Sequence, residues 1–346
     1  MEQKLDNNAL FEKIGQIIEL RGDSSDRNDI IRELIFMAVG LSEAEITQND
    51  LKTFHLAFRE MKNALAFFAP FTETKKVSVF GSARTPPTDP IYSHAAAFSQ
   101  KMARAGFMVI TGAGDGIMRA VQGGAGREKS FGLNIILPFE QAANEFIEND
   151  PKLITFKYFF IRKLFFVKEA NALAFFPGGF GTHDEGFETL TLLQTGKCDP
   201  SPVVFIDAHG GSHWKDWFSY INDRLLAKGL ISAEDINLFK ITDSISDAVY
   251  EITHFYHNYH SMQFMNGHTV INVNKPVTDK DLEQLNDHFS DIIVAGKMVP
   301  TSPFTEEDLN PSIMGRLLFQ FNRRNFGRLR ELINAINDLS LGNTKQ

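Results

Sequence analysis

One cysteine, two tryptophans and six tyrosines are all that this chain of 346 residues carries of those three types. A single thiol, Cys198, excludes an internal disulfide and a thiolate metal cluster. No apolar run reaches the roughly 20 residues that a bilayer-spanning helix needs. Met1-Glu2-Gln3-Lys4-Leu5-Asp6 has neither the basic nor the apolar stretch of a secretion signal. Positive charge is also short: 35 Lys and Arg face 43 Asp and Glu, a formal net charge of -8. That balance argues against a general nucleic-acid-binding surface. The expectation is a cytoplasmic protein with no membrane and no nucleic-acid partner. Phenylalanine is in excess, with 32 residues, expected in the core and at subunit contacts.

Two nucleotide-site signatures are missing as well. Gly112-x-Gly114-x-Gly116 falls short of the dinucleotide fingerprint, because position 117 is Ile where a third spaced glycine belongs. No Gly-Lys-Ser/Thr follows it, so it is no P-loop. Hydride chemistry and ATP hydrolysis therefore lack their best support. No lysine stands in a setting that suggests a pyridoxal Schiff base.

The apolar periodicity divides the chain into three. Residues 1–75 carry helical spacing at Ile30–Met37 and Phe54–Met61, with Ser42 and Asp50 as caps between them, and form an N-terminal helical extension. Residues 76–257 alternate strand and helix. The strands are Lys76–Gly81, Phe107–Thr111, Phe131–Leu137, Ala172–Phe176 and Pro202–Asp207. The helices are placed around Tyr92–Ala105, from Ile117, over Phe160–Glu169 and from Trp214 to Lys228. Apolar strands alternating with helices predict an α/β domain whose parallel sheet is covered on both faces. Residues 258–346 form a small α+β module. Its strands are expected over Met262–Val273, Ser290–Val299 and Arg316–Phe321, its helices over Asp279–His288 and Phe326–Asn337.

Three glycine-bearing turns follow strand ends, where ligands bind in such sheets. The first is Gly81-Ser82-Ala83-Arg84, offering a hydroxyl and backbone amides. The second, Thr111 to Met118, opens a helix; its glycines serve either a tight turn with positive φ or the close approach of a ligand. The third is Pro177-Gly178-Gly179-Phe180-Gly181-Thr182-His183-Asp184-Glu185. It joins a buried strand to a helix and sets an anion-binding turn beside two carboxylates.

Together with Arg162-Lys163 on the preceding helix, the pattern Pro-Gly-Gly-x-Gly-Thr-x-x-Glu resembles the LOG (Lonely Guy) family, Rossmann-like nucleoside 5′-monophosphate phosphoribohydrolases often mislabelled lysine decarboxylases. The turns at 81–84 and 112–118 match family elements in order. The resemblance covers about residues 76–257. Asp184 stands where many members have Glu, His183 where an apolar residue is common, and the second turn begins Thr-Gly-Ala rather than Gly-Gly-Gly.

The resemblance implies hydrolysis of an AMP-like nucleoside monophosphate to base and ribose 5-phosphate, with no cofactor and no metal, by a homodimer or higher homo-oligomer. It implies Glu185, Arg162 and Asp184 as catalytic. Phosphate and ribose fall to Gly81, Ser82, Gly112, Gly114, Gly116, Met118, Lys163, Gly178, Gly179, Gly181 and Thr182. Elementary chemistry agrees: an oxocarbenium-like sugar needs a carboxylate beside it and a firm grip on the phosphate. Asp184 is equally explained as a carboxylate stabilised by the helix dipole. The alternative function is a non-catalytic carrier of a nucleotide or molybdenum cofactor on the same fold. His254, His257 and His260 are read as the polar side of an aromatic helix end, and Arg323, Arg324, Arg328 and Arg330 as a solvated face.

Overall fold

The computed structural model describes residues 7–19, 26–42, 44–138, 142–303 and 310–342. The chain divides into two compact units, Met1–Asn63 and Ala64–Gln346. In the first, α1 (Asn7–Glu19) and α2 (Asp26–Gly40) meet through Phe11 and Phe36, whose rings lie edge to face at 5.5 Å. α3 (Gln48–Phe68) begins at a capping box. Thr47 Oγ1 accepts from the Asp50 amide, and the Asp50 carboxylate accepts from the Thr47 amide and hydroxyl. Thr47 is therefore the cap and Asp50 its reciprocal partner. Ser42 caps no N-terminus; its hydroxyl donates to the Val39 carbonyl at the end of α2.

The second unit holds a seven-stranded parallel sheet in the order β4-β3-β2-β1-β5-β6-β7. Its elements run β1 (Lys76–Phe80), α4 (Pro90–Arg104), β2 (Met108–Thr111), α5 (Ile117–Ala125), β3 (Ser130–Ile135), β4 (Leu153–Phe156), α6 (Phe159–Lys168), β5 (Ala172–Phe175), α7 (Phe180–Gln194), β6 (Val203–Ile206), α8 (His213–Tyr220), β7 (Lys240–Thr242) and α9 (Ile245–Phe255). β1, β2, β3, β5 and β6 are buried along their whole length. From β1 the chain works outward to β4. α6 then carries it back to β5 on the other side of β1, so the strand order reverses between these neighbours.

The phenylalanines explain how the site is held. Phe80, Phe175 and Phe205 stand in register on β1, β5 and β6 and stack at successive spacings of 5.0 Å. α7 lies on this ladder through Gly186, where an added Cβ would come within 3.6 Å of Phe205. α6 is seated by buried Ile161, Phe165 and Phe166, and the Ser78 hydroxyl of β1 donates to the Phe166 carbonyl at 2.6 Å. Both helices that carry site residues thus rest on the central strands.

Beyond α9 a second sheet has the order β10-β11-β9-β8, all antiparallel. It comprises β8 (Tyr259–Met265), β9 (His268–Val273), β10 (Val299–Pro300) and β11 (Gly315–Phe319), with α10 (Asp279–His288) and α11 (Phe326–Gly342) beside it. The single strand expected over 262–273 is a hairpin. Asn266 and Gly267 both take positive φ, the turn that an Asn-Gly pair favours. Over 290–299 only the last residue, Val299, enters a strand, as the start of β10. Gly296 breaks the run with a φ of 72°, and the Asn286 side chain takes both backbone groups of Met298 in place of a ladder. The helix from Trp214 likewise ends at Tyr220, with a π-helical segment at Ile221–Leu226.

Two members of the arginine cluster do not belong to a solvated face. Arg330 is buried. It pairs with Glu251 of α9, lies over the Phe255 ring and donates to the Ser201 carbonyl at 3.4 Å. Arg328 bonds Asp291, Glu331 and the His288 carbonyl. His254 hydrogen-bonds Asp338 at 2.8 Å and stacks on Tyr250, as expected of an aromatic helix end. Among the described residues no helix is long and apolar enough to cross a membrane.

Candidate active site at the strand-order reversal

The three glycine turns follow β1, β2 and β5, three adjacent strands, and their backbones are stitched together. The Ser82 amide donates to the Pro177 carbonyl at 3.1 Å, and the Ile117 amide to the Ser82 carbonyl at 3.0 Å. This close approach dictates two glycines. A Cβ on Gly116, whose φ is +62°, would lie 2.2 Å from the Ser82 oxygen; one on Gly178 would lie 2.1 Å from Thr182 Oγ1. Gly179 and Gly181 differ: a Cβ on either would meet nothing within 4 Å. Packing gives no reason for glycine there, whereas open space over backbone amides suits a ligand. Gly179 also caps α7 without any side-chain hydrogen bond. Gly116 caps α5 in the same bare fashion. Two helix N-termini therefore present amides and positive dipole ends to one crevice.

Asn144 carried no motif in the sequence, yet it holds the second turn. Its Nδ2 lies within hydrogen-bond reach of the Ala113 carbonyl at 3.1 Å, the Gly114 carbonyl at 2.9 Å and Gln122 Oε1 at 2.6 Å. Its backbone amide donates to Ala113 again. Ala113 needs this hold, since it sits at a φ of +63°, where an alanine is strained.

Arg162 of α6 reaches over this turn. A Cβ on Gly112 would stand 3.9 Å from Arg162 Nη1 and 2.8 Å from Met118 Sδ. The guanidinium is carried between the Phe159 and Phe166 rings, 4.8 Å and 5.6 Å from their centroids, a cation–π setting. Burial lowers its pKa, and the Glu185 charge opposes that shift. Its Nε is buried without a hydrogen-bond partner.

Glu185 faces it from α7. The residue is 5% exposed, and its Oε2 likewise has no partner. Burial, against the opposing charge of Lys163, pushes its carboxyl up to about 7; Glu188 adds to the rise, Arg162 counters it, and Asp184 adds again. Such a group exchanges a proton near neutrality, as acid–base chemistry requires. Asp184 is exposed and lies beyond the first turn of α7, which holds no acidic residue, so the helix dipole does not account for it. Its partner is Lys163 Nζ at 2.6 Å, which also meets Glu188 at 2.8 Å. Burial alone would lower the Lys163 pKa, but these two carboxylates outweigh it and raise it.

The crevice thus gathers Gly81, Ser82, Gly112, Gly114, Gly116, Met118, Arg162, Gly178, Gly179, Gly181, Thr182 and Glu185. Lys163 and Asp184 stand at its margin, turned towards each other. A recess of about 1020 Å³ lies elsewhere. It is lined by Lys76, Asn171, Cys198, Tyr256 and Tyr259 and touches this site only through Lys163 and Glu188. Two of its cations are already engaged: Lys76 Nζ donates to the Phe71 and Thr74 carbonyls, and Lys168 pairs with Glu169. Burial pushes the Cys198 thiol up to about 12, which leaves it inert.

Residues 116–252 match the family model described as "Possible lysine decarboxylase". That match agrees with the LOG-family resemblance of the sequence over this segment. No curated protein matches the chain. Among solved structures, 51% of the chain resembles the structural-genomics protein TM1055 at 22% identity, over 96% of that protein and with a TM-score of 0.35. The same share resembles the molybdenum cofactor carrier protein of Chlamydomonas reinhardtii, at 19% identity over 94% of that chain, TM-score 0.36. It also resembles DNA processing protein A of Helicobacter pylori, at 15% identity over 80% of that chain, TM-score 0.36.

Proposed function

We propose that the protein hydrolyses the N-glycosidic bond of a nucleoside 5′-monophosphate, giving free base and ribose 5-phosphate. The observation that carries this reading is the pairing of Glu185 and Arg162. Glu185 is buried and Arg162 half-buried, each keeps one polar atom without a partner, and each faces a crevice floored by amides suited to phosphate. The amides of Gly179 and Gly181 at the α7 N-terminus, with the hydroxyls of Thr182 and Ser82, take the 5′-phosphate and fix the ribose. Glu185 as carboxylate stands beside C1′. As the C1′–N bond breaks, its electron pair leaves with the base and positive charge develops on the sugar, which the carboxylate stabilises. Water adds to C1′, Glu185 takes its proton and passes it on to the departing base, which restores the carboxylate. Arg162 holds phosphate or assists that departure.

The raised affinity of Glu185 for a proton favours an enzyme over a carrier, because mere binding gains nothing from a costly buried carboxylate. Lysine decarboxylase chemistry is a poor fit. The lysine beside the crevice, Lys163, is held protonated by two carboxylates, and a Schiff base needs a neutral amine. The same reading takes the protein to act in the cytoplasm as a homodimer. Phe159, Phe160, Leu164, Phe180 and Phe187 are exposed on the two site helices and would be covered by a second copy. Light scattering of the purified protein decides the oligomer. The function is tested by incubation with AMP, GMP, CMP, UMP and an N6-prenylated AMP and measurement of released base. Tight retention of a nucleotide or pterin with no base released would favour the carrier.

A further inference from the structure

α7 carries three carboxylates within little more than one turn, Asp184, Glu185 and Glu188, and of these only Glu185 is buried. Lys163 of α6 reaches the outer two, at 2.6 Å and 2.8 Å. Its side chain is 16% exposed against 63% for Asp184, so the cation sits well inside the cleft between the helices. Successive helical residues point about 100° apart. Arg162 is thereby aimed over the crevice while Lys163 is aimed at α7. With two of its N–H directions committed to carboxylates, Lys163 is a poor ligand for substrate phosphate.

We propose that Lys163 is a positioning residue: it neutralises Asp184 and Glu188 so that Glu185 between them can ionise, and it locks α6 to α7 so that Arg162 and Glu185 face each other. The inference rests on the reading of Glu185 as the reacting carboxylate. The charges acting on Glu185 are Lys163 and Arg162 from α6 and Glu188 and Asp184 from its own helix. Apart from Asp184, no charged side chain of the three turns is among them. His183, next along α7, is turned instead to the rings of His213 and Trp214. Two carboxylates without their cation would repel charge on Glu185 and hold its proton to higher pH.

The test is a carbon-13 titration of the Glu185 carboxyl in the full chain, assigned by its loss in Glu185→Gln. In Lys163→Met the midpoint should rise by about one pH unit, and in Lys163→Arg it should return towards the wild-type value. Glu188→Gln removes a like charge and should move it down. The acid limb of kcat/KM should follow: Lys163→Met loses about tenfold at pH 6 and recovers by pH 9. A role in packing alone would lower activity at every pH and leave the midpoint in place. An unmoved midpoint in Lys163→Met, or an upward shift in Glu188→Gln, overturns the proposal. Should Lys163→Met not fold, the Glu188→Gln and Lys163→Arg titrations still decide it. If wild-type protein releases no base from any nucleotide, the hydrolase reading fails, while the titration still judges the clamp.

Discussion

Replacing Glu185 with glutamine should end turnover and, above neutral pH, stabilise the fold. An ordinary glutamate carboxyl titrates at 4.5, whereas burial moves that of Glu185 to about 7. Between those values the native state holds a proton that the unfolded chain has released. Stability from this group is therefore complete below the unfolded value and is lost as pH rises through the folded one. From pH 5 to pH 8 the loss is roughly 2.5 kcal/mol, as an order of magnitude. Glutamine has no such dependence. At pH 5 it is compared with a protonated carboxyl of the same shape, so differences in packing and hydrogen bonding are contained in that reference. Urea melts of the two proteins followed by circular dichroism at pH 5, 6, 7 and 8 give the assay. The glutamine variant should gain on wild type progressively, by on the order of 5 °C in Tm at pH 8 in parallel heat melts. Stability curves for the two proteins that run parallel across this range would show that Glu185 is not desolvated and would remove the basis for its chemical role.

The remaining predictions concern its surroundings. Arg162→Lys should cost about 100-fold or more in kcat/KM, measured by base release, because an ammonium cannot reproduce the planar fork carried between Phe159 and Phe166. Gly178→Ala should destabilise by at least about 1–3 kcal/mol through the clash with Thr182 Oγ1, whereas Gly179→Ala should leave Tm nearly unchanged and weaken AMP binding in calorimetry. Equal effects of the two on stability would refute the distinction between packing glycine and ligand glycine. Asn144→Ala should cost about 1–3 kcal/mol by stripping partners from the Ala113 and Gly114 carbonyls, with a matching rise in KM. Removing the Glu251 partner of buried Arg330 by Glu251→Met should cost about 3–5 kcal/mol in denaturant melts.

The central strands were legible because they are buried on both faces and read as continuous apolar runs. β4 and β7 escaped for the converse reason. They are the edges of the sheet; only Phe156 of β4 is buried and no residue of β7 is, so neither shows an apolar pattern. The hairpin of β8 and β9 was hidden inside one apolar run, although the Asn-Gly pair at its centre is a turn signal. The three turns of the crevice could be placed because each follows a strand end in a parallel sheet. Which glycines pack and which stay open could not, since Gly178 and Gly179 differ only in what lies above them. The pairing of Lys163 and the brace at Asn144 stayed hidden for a related reason. Their partners lie on other elements, and only the crossover through α6 and the loop before β4 bring them within reach.

The central claim, that Glu185 and Arg162 face a nucleoside monophosphate at its glycosidic bond, is tested most directly by the nucleotide panel with Glu185→Gln beside wild type. Wild type should release free base and ribose 5-phosphate in equal amounts from at least one nucleotide, and the variant should hold the nucleotide bound but intact. No base from any of the five nucleotides, or undiminished release by the variant, would contradict it.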